Sequence, residues 1–452
     1  MQHSNSRAGR VSRTLVAGAA SLAMVGTLAA CGGGSTGSAS GESGASTAPS
    51  DLSGSLNILV SSASASDEAF NAITTAFKEK YPNVDAKVTS VPNDSYPATK
   101  SAQLSAGSVD IFVVKNFVEA PSYASDSTSD DVLMAQAGGL VDLTDQPFMK
   151  NYTSSVLDAQ AIDGKQYAVP TGLSYSTGVY YNKTIFEENG LEAPTTWSEL
   201  QDVIKTLKAK DITPFGIGGK DTWPAGLVML GNVASAYPTL EAKQSLAEGL
   251  WTQKVSLTDT DTQSILEKTQ TVFENAQDNF SGAGYDDMPA AFARGDFAML
   301  PDGTWNQPTI DSAVNGAFEY GYIPFPGSDN AADNALLNGK IELQLAVASN
   351  SKNQEAALAW LDFFSDPTNY ATFVNKAGFS PAQPGIDSSD FLNSIADYTK
   401  TYQPAWDQVW IANNKAGDDA VYPFNYPALS PLGTDTAAEA ATAAQTAWAA
   451  GF

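Results

Sequence analysis

VDIFVV, residues 109–114, is an almost unbroken apolar run with one acid in its second position. A run of this kind, with no polar alternation, is a strand covered on both faces, and such strands belong to sheets sandwiched between helices. Immediately upstream, residues 96–106 read as a helix stopped by Gly107, and before that Val84, Ala86 and Val88 alternate as a strand. Pro82 closes an earlier helix, capped by Ser66, whose Phe70, Ile73 and Phe77 share one face, and LNILV at 56–60 is another apolar strand. Strand, helix, strand, helix, strand at this spacing predicts an α/β body with a parallel sheet.

The pattern restarts after the turn Asp163-Gly164-Lys165. Residues 166–170 and 178–182 read as strands, and TTWSEL at 195–200 opens a helix with a capping box from Thr196 to Glu199. Leu200, Val203, Ile204 and Leu207 form its buried stripe. Later, FAML at 297–300 and residues 341–348 read as strands, and a helix after Ser351 carries Ala357, Trp360, Leu361 and Phe364 on one face. GIGGK at 216–220 lacks the glycines of a phosphate-binding motif and reads as a loop. With 452 residues, the chain is long enough for two such bodies, each with its own core.

The N-terminus has a different character. Arg7, Arg10 and Arg13 precede an apolar stretch at 15–30, which is shorter than the roughly 20 residues that span a bilayer. It ends at Leu28-Ala29-Ala30-Cys31, which resembles the lipobox of bacterial lipoproteins. That resemblance implies a signal peptide at 1–30 and lipidation of Cys31. A Gly/Ser-rich tether at 31–54 follows, a flexible coil holding the body off the extracellular face of the cell membrane.

The chain has a net charge of −26, and the leader contributes +3, so the body stands at −29. An acidic surface without a basic run argues against nucleic acid as a partner. The single histidine, His3, and the single cysteine, Cys31, both lie outside the expected folded body. No catalytic residue, metal site or cofactor is therefore expected from the chemistries built on His or Cys. The acidic loop at 126–131 lacks the glycine and terminal glutamate of a calcium loop and reads as solvated surface.

Eight tryptophans divide by position. Trp197, Trp360 and Trp448 lie on helices in register with apolar residues and read as core, whereas Trp251 is undecided. Trp223, Trp305, Trp406 and Trp410 fall in loop-like stretches, and Trp305 follows a strand directly. Loops leaving the carboxyl ends of strands line ligand crevices in open α/β sheets. A pyranose has an apolar C–H face and an edge of hydroxyls, which a Trp platform with polar partners matches. Each of these rings has an alternative role as cover for the core beneath its loop.

The series FKEKYPNV (77–84), SVDIF (108–112), GLVDL (139–143), DGKQYAVP (163–170), GVYYNKTIF (178–186), TTWSEL (195–200), FARGDFAM (292–299) and GTW (303–305) resembles the solute-binding proteins of carbohydrate ABC transporters, of the maltose-binding-protein type. The resemblance covers residues 56–381 or so in the same order. It implies a two-lobed periplasmic-binding-protein-like fold (type II), each lobe a mixed sheet flanked by helices. By similarity the lobes are 55–168 plus 324–385 and 169–323 plus 386–452, joined by hinge crossings near 169–175, 322–327 and 384. The function implied is capture of a sugar, with a neutral oligosaccharide as the expected ligand, for delivery to permease subunits by a monomeric, non-enzymatic receptor. By similarity Trp223 and Trp305 stack on sugar, and Lys115, Asn116 and the serine loop of Ser62 and Ser64 give polar contacts. Trp406, Trp410, Ser174, Tyr175, Asp302 and Glu342 complete the expected ligand-binding set. The serine loop departs from the maltose-type pattern, which often has a charged residue there. Alternative readings are a surface glycosidase with paired carboxylates, a receptor of the same fold for a non-sugar solute, and an adhesin.

Overall fold

A computed structural model describes residues 52–62, 64–420 and 424–452; Cys31, the leader and most of the tether lie outside them. The apolar runs form the first sheet. β1 (Gly54–Ser61) pairs in parallel with both β2 (Val84–Val91) and β3 (Ile111–Val113), as the strand–helix alternation predicts. The sheet is completed from afar by β4 (Ala168–Val169) and by β10 (Leu345–Val347), which runs antiparallel between β3 and β4. Its order is β2-β1-β3-β10-β4, a mixed sheet.

Helices Ser64–Lys80 and Tyr96–Ala106 cover this sheet with helices Gln354–Ser365 and Pro367–Ala377. The first helix starts two residues before the expected cap at Ser66, and Phe70, Ile73 and Phe77 are buried as expected. Trp360 is fully buried and stacks on Phe364 at 5.4 Å. Asp110, the one acid in the opening run, is buried because three segments need it. It accepts the Asn57 N–H at 2.8 Å, the Ser351 hydroxyl at 2.6 Å and the Asn353 side-chain amide at 3.1 Å.

A second sheet, β7-β6-β8, is antiparallel and built from β6 (Gly178–Asn182), β7 (Met299–Asp302) and β8 (Tyr320–Pro324). The capping box from Thr196 to Glu199 forms, and helix Trp197–Lys208 buries the stripe read from its sequence. Helices Trp223–Ala236, Thr260–Phe273 and Ala437–Ala449 share the second core, in which Trp448 is 1 % exposed.

A third, small sheet links the two bodies. β5 (Gly172–Tyr175) pairs antiparallel with β9 (Asn338–Glu342), which pairs in parallel with β11 (Gln403–Pro404). β5 carries the chain from β4 to β6, and β9 carries it from β8 back to β10. The return crossing therefore runs through 338–342. Residues 322–327, expected to cross, instead finish β8 and put Ile323 and Phe325 into the second core. Gly339 is required here, since a Cβ would lie 1.9 Å from the Ser174 carbonyl oxygen.

One segment of the first body also reaches the second core. After β3, residues 121–128 cross over so that Ala124 is buried beside Trp251, whose ring lies 6.3 Å from that of Tyr123. The Asn414 N–H donates to Ser127 Oγ at 3.1 Å. The acidic loop is thus not all solvated surface: Asp131 is 2 % exposed, accepting the Lys100 ammonium and the Lys115 N–H at 2.6 Å. A carboxylate this buried requires such partners.

Candidate functional site: an aromatic platform facing a charged strand

The platform is built at the end of β7. Asp302 closes that strand, and Gly303, Thr304 and Trp305 turn away from it. The Trp305 indole N–H donates to the Tyr285 hydroxyl at 2.8 Å. Tyr285 packs on Trp223 at 4.5 Å between ring centres, and Trp223 lies 6.4 Å from Trp305. All three residues are partly exposed. Gly303 makes their placement possible, because a Cβ there would lie 2.1 Å from the Trp305 ring. The Thr304 hydroxyl accepts the Tyr175 N–H at 3.0 Å, which ties the loop to the crossing strand β5.

β9 faces this platform. Alternate residues of a strand share a face, so Lys340 and Glu342 project together. The Lys340 ammonium lies 3.3 Å from Glu342 Oε1 and 5.1 Å from the centre of the Trp305 ring. Burial pulls that ammonium down, but Glu342 and Asp407 together outweigh it and leave its pKa raised. Glu342 also accepts the Ser174 hydroxyl at 2.5 Å from the neighbouring strand. Asp407 keeps an exposed surface, yet burial pushes its carboxyl up, against the pull of Lys340. The two observations fit a side chain in a concavity, surrounded by protein and still open to water.

Lys115, at the end of β3, completes the charged group. Its ammonium donates to Ser61 Oγ at 2.8 Å and Asn93 Oδ1 at 3.2 Å and lies 5.3 Å from the centre of the Tyr96 ring. Burial first, and then the like charge of Lys340, lower its pKa to about 8, with Glu342 acting in the opposite sense. The ends of β3 and β7, far apart in sequence, thus meet through β9.

Of the residues expected at the site, Trp223, Trp305, Lys115, Ser174, Glu342 and Asp302 gather around this place. Asp302 is fully buried below it, with its carboxyl raised to about 6 by burial. Tyr175 is also buried and contributes its backbone, while Asn116 is exposed with a φ of 49°. Ser62 turns to Asp67 at 2.6 Å, and the serine that meets Lys115 is its neighbour Ser61. Ser64 opens a helix.

Trp406 and Trp410 are the pair that the structure removes from this group. Trp406 is 1 % exposed in the second core and stacks on Trp410 at 5.5 Å, and Trp410 packs on Trp448 at 4.9 Å. The reason is the pairing with β9: the Ala405 N–H donates to the Gly339 carbonyl at 2.8 Å, so the segment extends β9's sheet and successive side chains diverge. Trp406 turns inward and Asp407 toward Lys340. Sequence reasoning missed Lys340, Asp407 and Tyr285. Lys340 was findable from Glu342 two places along the strand, and Tyr285 from its glycine-flanked loop, the signal used for Trp305. Nothing local distinguishes Asp407 from other acids.

Residues 61–371 match the model of the bacterial extracellular solute-binding protein family. The chain belongs to that family. The binding protein is 24 % identical over 355 residues to the multiple sugar-binding protein of Streptococcus mutans, covering 78 % of this chain and 81 % of that one. Its fold matches that of the solute-binding protein RafE in complex with raffinose, with a TM-score of 0.71, 24 % identity, and 87 % and 98 % of the two chains covered. It also matches a chitin oligosaccharide binding protein, with a TM-score of 0.72, 22 % identity, and coverage of 88 % and 99 %. The binding protein therefore has the two-lobed α/β fold expected of it, with mixed sheets flanked by helices. Among the described residues, no helix is long and apolar enough to cross a membrane, and no group of acids is arranged to hold a metal ion.

Proposed function

We propose that this chain is the sugar receptor of an ABC transporter, capturing a neutral oligosaccharide and presenting it to permease subunits. The observation that carries the reading is the partly exposed Trp223–Tyr285–Trp305 platform opposed by Lys340 and Asp407. Flat rings take the apolar face of a pyranose, and fixed charged groups take its hydroxyls. Relatives and structural neighbours named for sugar binding support the same class. A ligand touching both lobes favours their closed arrangement, which is the form a permease would recognise. The protein acts without turnover, as a monomer, held at the membrane through a lipid on Cys31.

Calorimetric titration with raffinose, stachyose, xylo-oligosaccharides and chito-oligosaccharides tests the reading, with product analysis of each mixture after several hours. Saturable heat from at least one sugar, returned intact, is expected. Silence from all four classes would sink the sugar reading, and cleavage would replace it by the glycosidase. Cys31→Ser should move the protein out of the membrane fraction; retention there would remove the lipid anchor.

A further inference from the structure

Asp302 is fully buried, so a ligand on the platform does not reach its carboxylate. Every one of its partners is a donor. Oδ1 accepts the Tyr285 hydroxyl at 2.9 Å and the Gly303 N–H at 2.7 Å, and Oδ2 accepts the Asn306 side-chain amide at 2.7 Å. The Tyr285 hydroxyl gives its single proton to Asp302, so toward Trp305 it acts only as an acceptor, and the indole N–H donates to it at 2.8 Å. The result is a relay with one direction, from Trp305 through Tyr285 to a carboxylate that has no proton to return. Bonds in such a series polarise one another.

The surroundings hold the relay's base still. The Tyr322 hydroxyl donates to the Asp302 carbonyl at 2.8 Å, and the Tyr180 hydroxyl donates to the Gly303 carbonyl at 3.1 Å. Above them the Trp305 ring lies against Gly303, where even a methyl group would collide. The two rings are thus hung from one buried anion, and the indole N–H is already engaged, leaving ring faces and C–H edges for a ligand.

We propose that Asp302 is a positioning residue for ligand recognition: through the relay it sets the angle of the Tyr285 and Trp305 rings, and so the affinity of the platform, without touching the ligand. This rests on the sugar reading above for the identity of the ligand, but the relay itself does not. Burying an anion here costs stability, as its raised pKa of about 6 shows. A neutral isostere puts an amide NH2 where a carboxylate oxygen accepted, facing partners that are all donors, so both binding and stability should fall, and the Trp305 indole resonance is the readout that a purely structural role would not move.

The test combines two readouts. In ligand-free, ¹⁵N-labelled protein, the indole N–H resonance of Trp305 is assigned by its loss in Trp305→Phe. Asp302→Asn and Tyr285→Phe should each shift it. In titrations with raffinose, or with whichever probe sugar binds, each variant should lose roughly tenfold in affinity, the worth of one hydrogen bond to a charged group. The double variant should lose no more than either single one, because both cut the same relay. An unmoved indole resonance in Asp302→Asn overturns the proposal, as do losses that multiply to about a hundredfold in the double variant. If no probe sugar binds, the sugar reading falls while the indole shifts still decide the relay, and Tyr285→Phe serves alone if Asp302→Asn fails to fold.

Discussion

The Lys340 ammonium stands 5.1 Å from the centre of the Trp305 ring and 3.3 Å from a carboxylate oxygen of Glu342. One cation thus joins the aromatic platform of one lobe to the crossing strand that leads back to the other, and it balances both Glu342 and Asp407.

Removing that cation leaves acids close together. Lys340→Met should lower stability at pH 7 by about 1–2 kcal/mol, less than a fully buried pair would give because the side chain is one-third exposed. Burial already raises the Asp407 carboxyl, and without Lys340 it rises further. An acid with a raised pKa in the folded state binds protons there before it does in the unfolded chain, so the deficit should narrow as pH falls from 7 to 5. Thermal melts of parent and variant at both pH values check this; a deficit that widens on acidification would contradict it.

Lys115 supplies a second pH signature. Its ammonium is depressed to about 8, so the folded protein loses that proton where an unfolded lysine keeps it. If the ammonium contacts ligand, affinity should fall as pH rises through about 8, while Lys115→Met should show a flat profile at reduced affinity. Stability moves the other way: the unfolded chain binds more protons above about 8, so the group's contribution to stability rises with pH there. Dissociation constants at pH 6.5 and 9 separate the cases, and a flat parent profile would take Lys115 out of the contact set.

Two tryptophans should respond oppositely to truncation. Trp360→Ala opens a cavity in the first core and should cost about 3–5 kcal/mol of stability, with affinity disturbed only indirectly. Trp305→Ala should cost on the order of 1–3 kcal/mol of sugar affinity by analogy with other stacking platforms, with a small change in melting temperature. Equal affinity in the Trp305 variant would mean that the ligand binds elsewhere.

Gly303→Ala tests the platform with a single methyl group. Gly303 has a φ of −90°, which any residue adopts, so the backbone is not strained and the effect is purely the collision with the Trp305 ring. The ring must swing away, and affinity should fall about as far as in Trp305→Ala. Parent-like binding with an unshifted Trp305 indole resonance would show that the ring tolerates the methyl group in place.

What the sequence determined by itself was periodic and local. Apolar runs at 56–60 and 109–114, each broken by one polar residue, specified strands covered on both faces, and these became the centre of the first sheet. The capping box at Thr196 and the helix stop at Gly107 formed as read, since capping depends on residues three or four apart. The core roles of Trp197, Trp360 and Trp448 were legible from their register with apolar neighbours. Tertiary structure alone decided the remainder. Asp131 reads as a solvated acid until Lys100 arrives from a helix some thirty places earlier to neutralise it. Trp406 and Asp407 look equally available until the Ala405–Gly339 hydrogen bond turns one into the core and the other toward Lys340. Asp302 passes for a ligand contact until folding buries its carboxylate and sets it to accept the Tyr285 hydroxyl. In each case the deciding partner sits on another segment of the chain, and which side of a strand or loop faces it is set by pairing and packing between segments whose local patterns are compatible with either orientation.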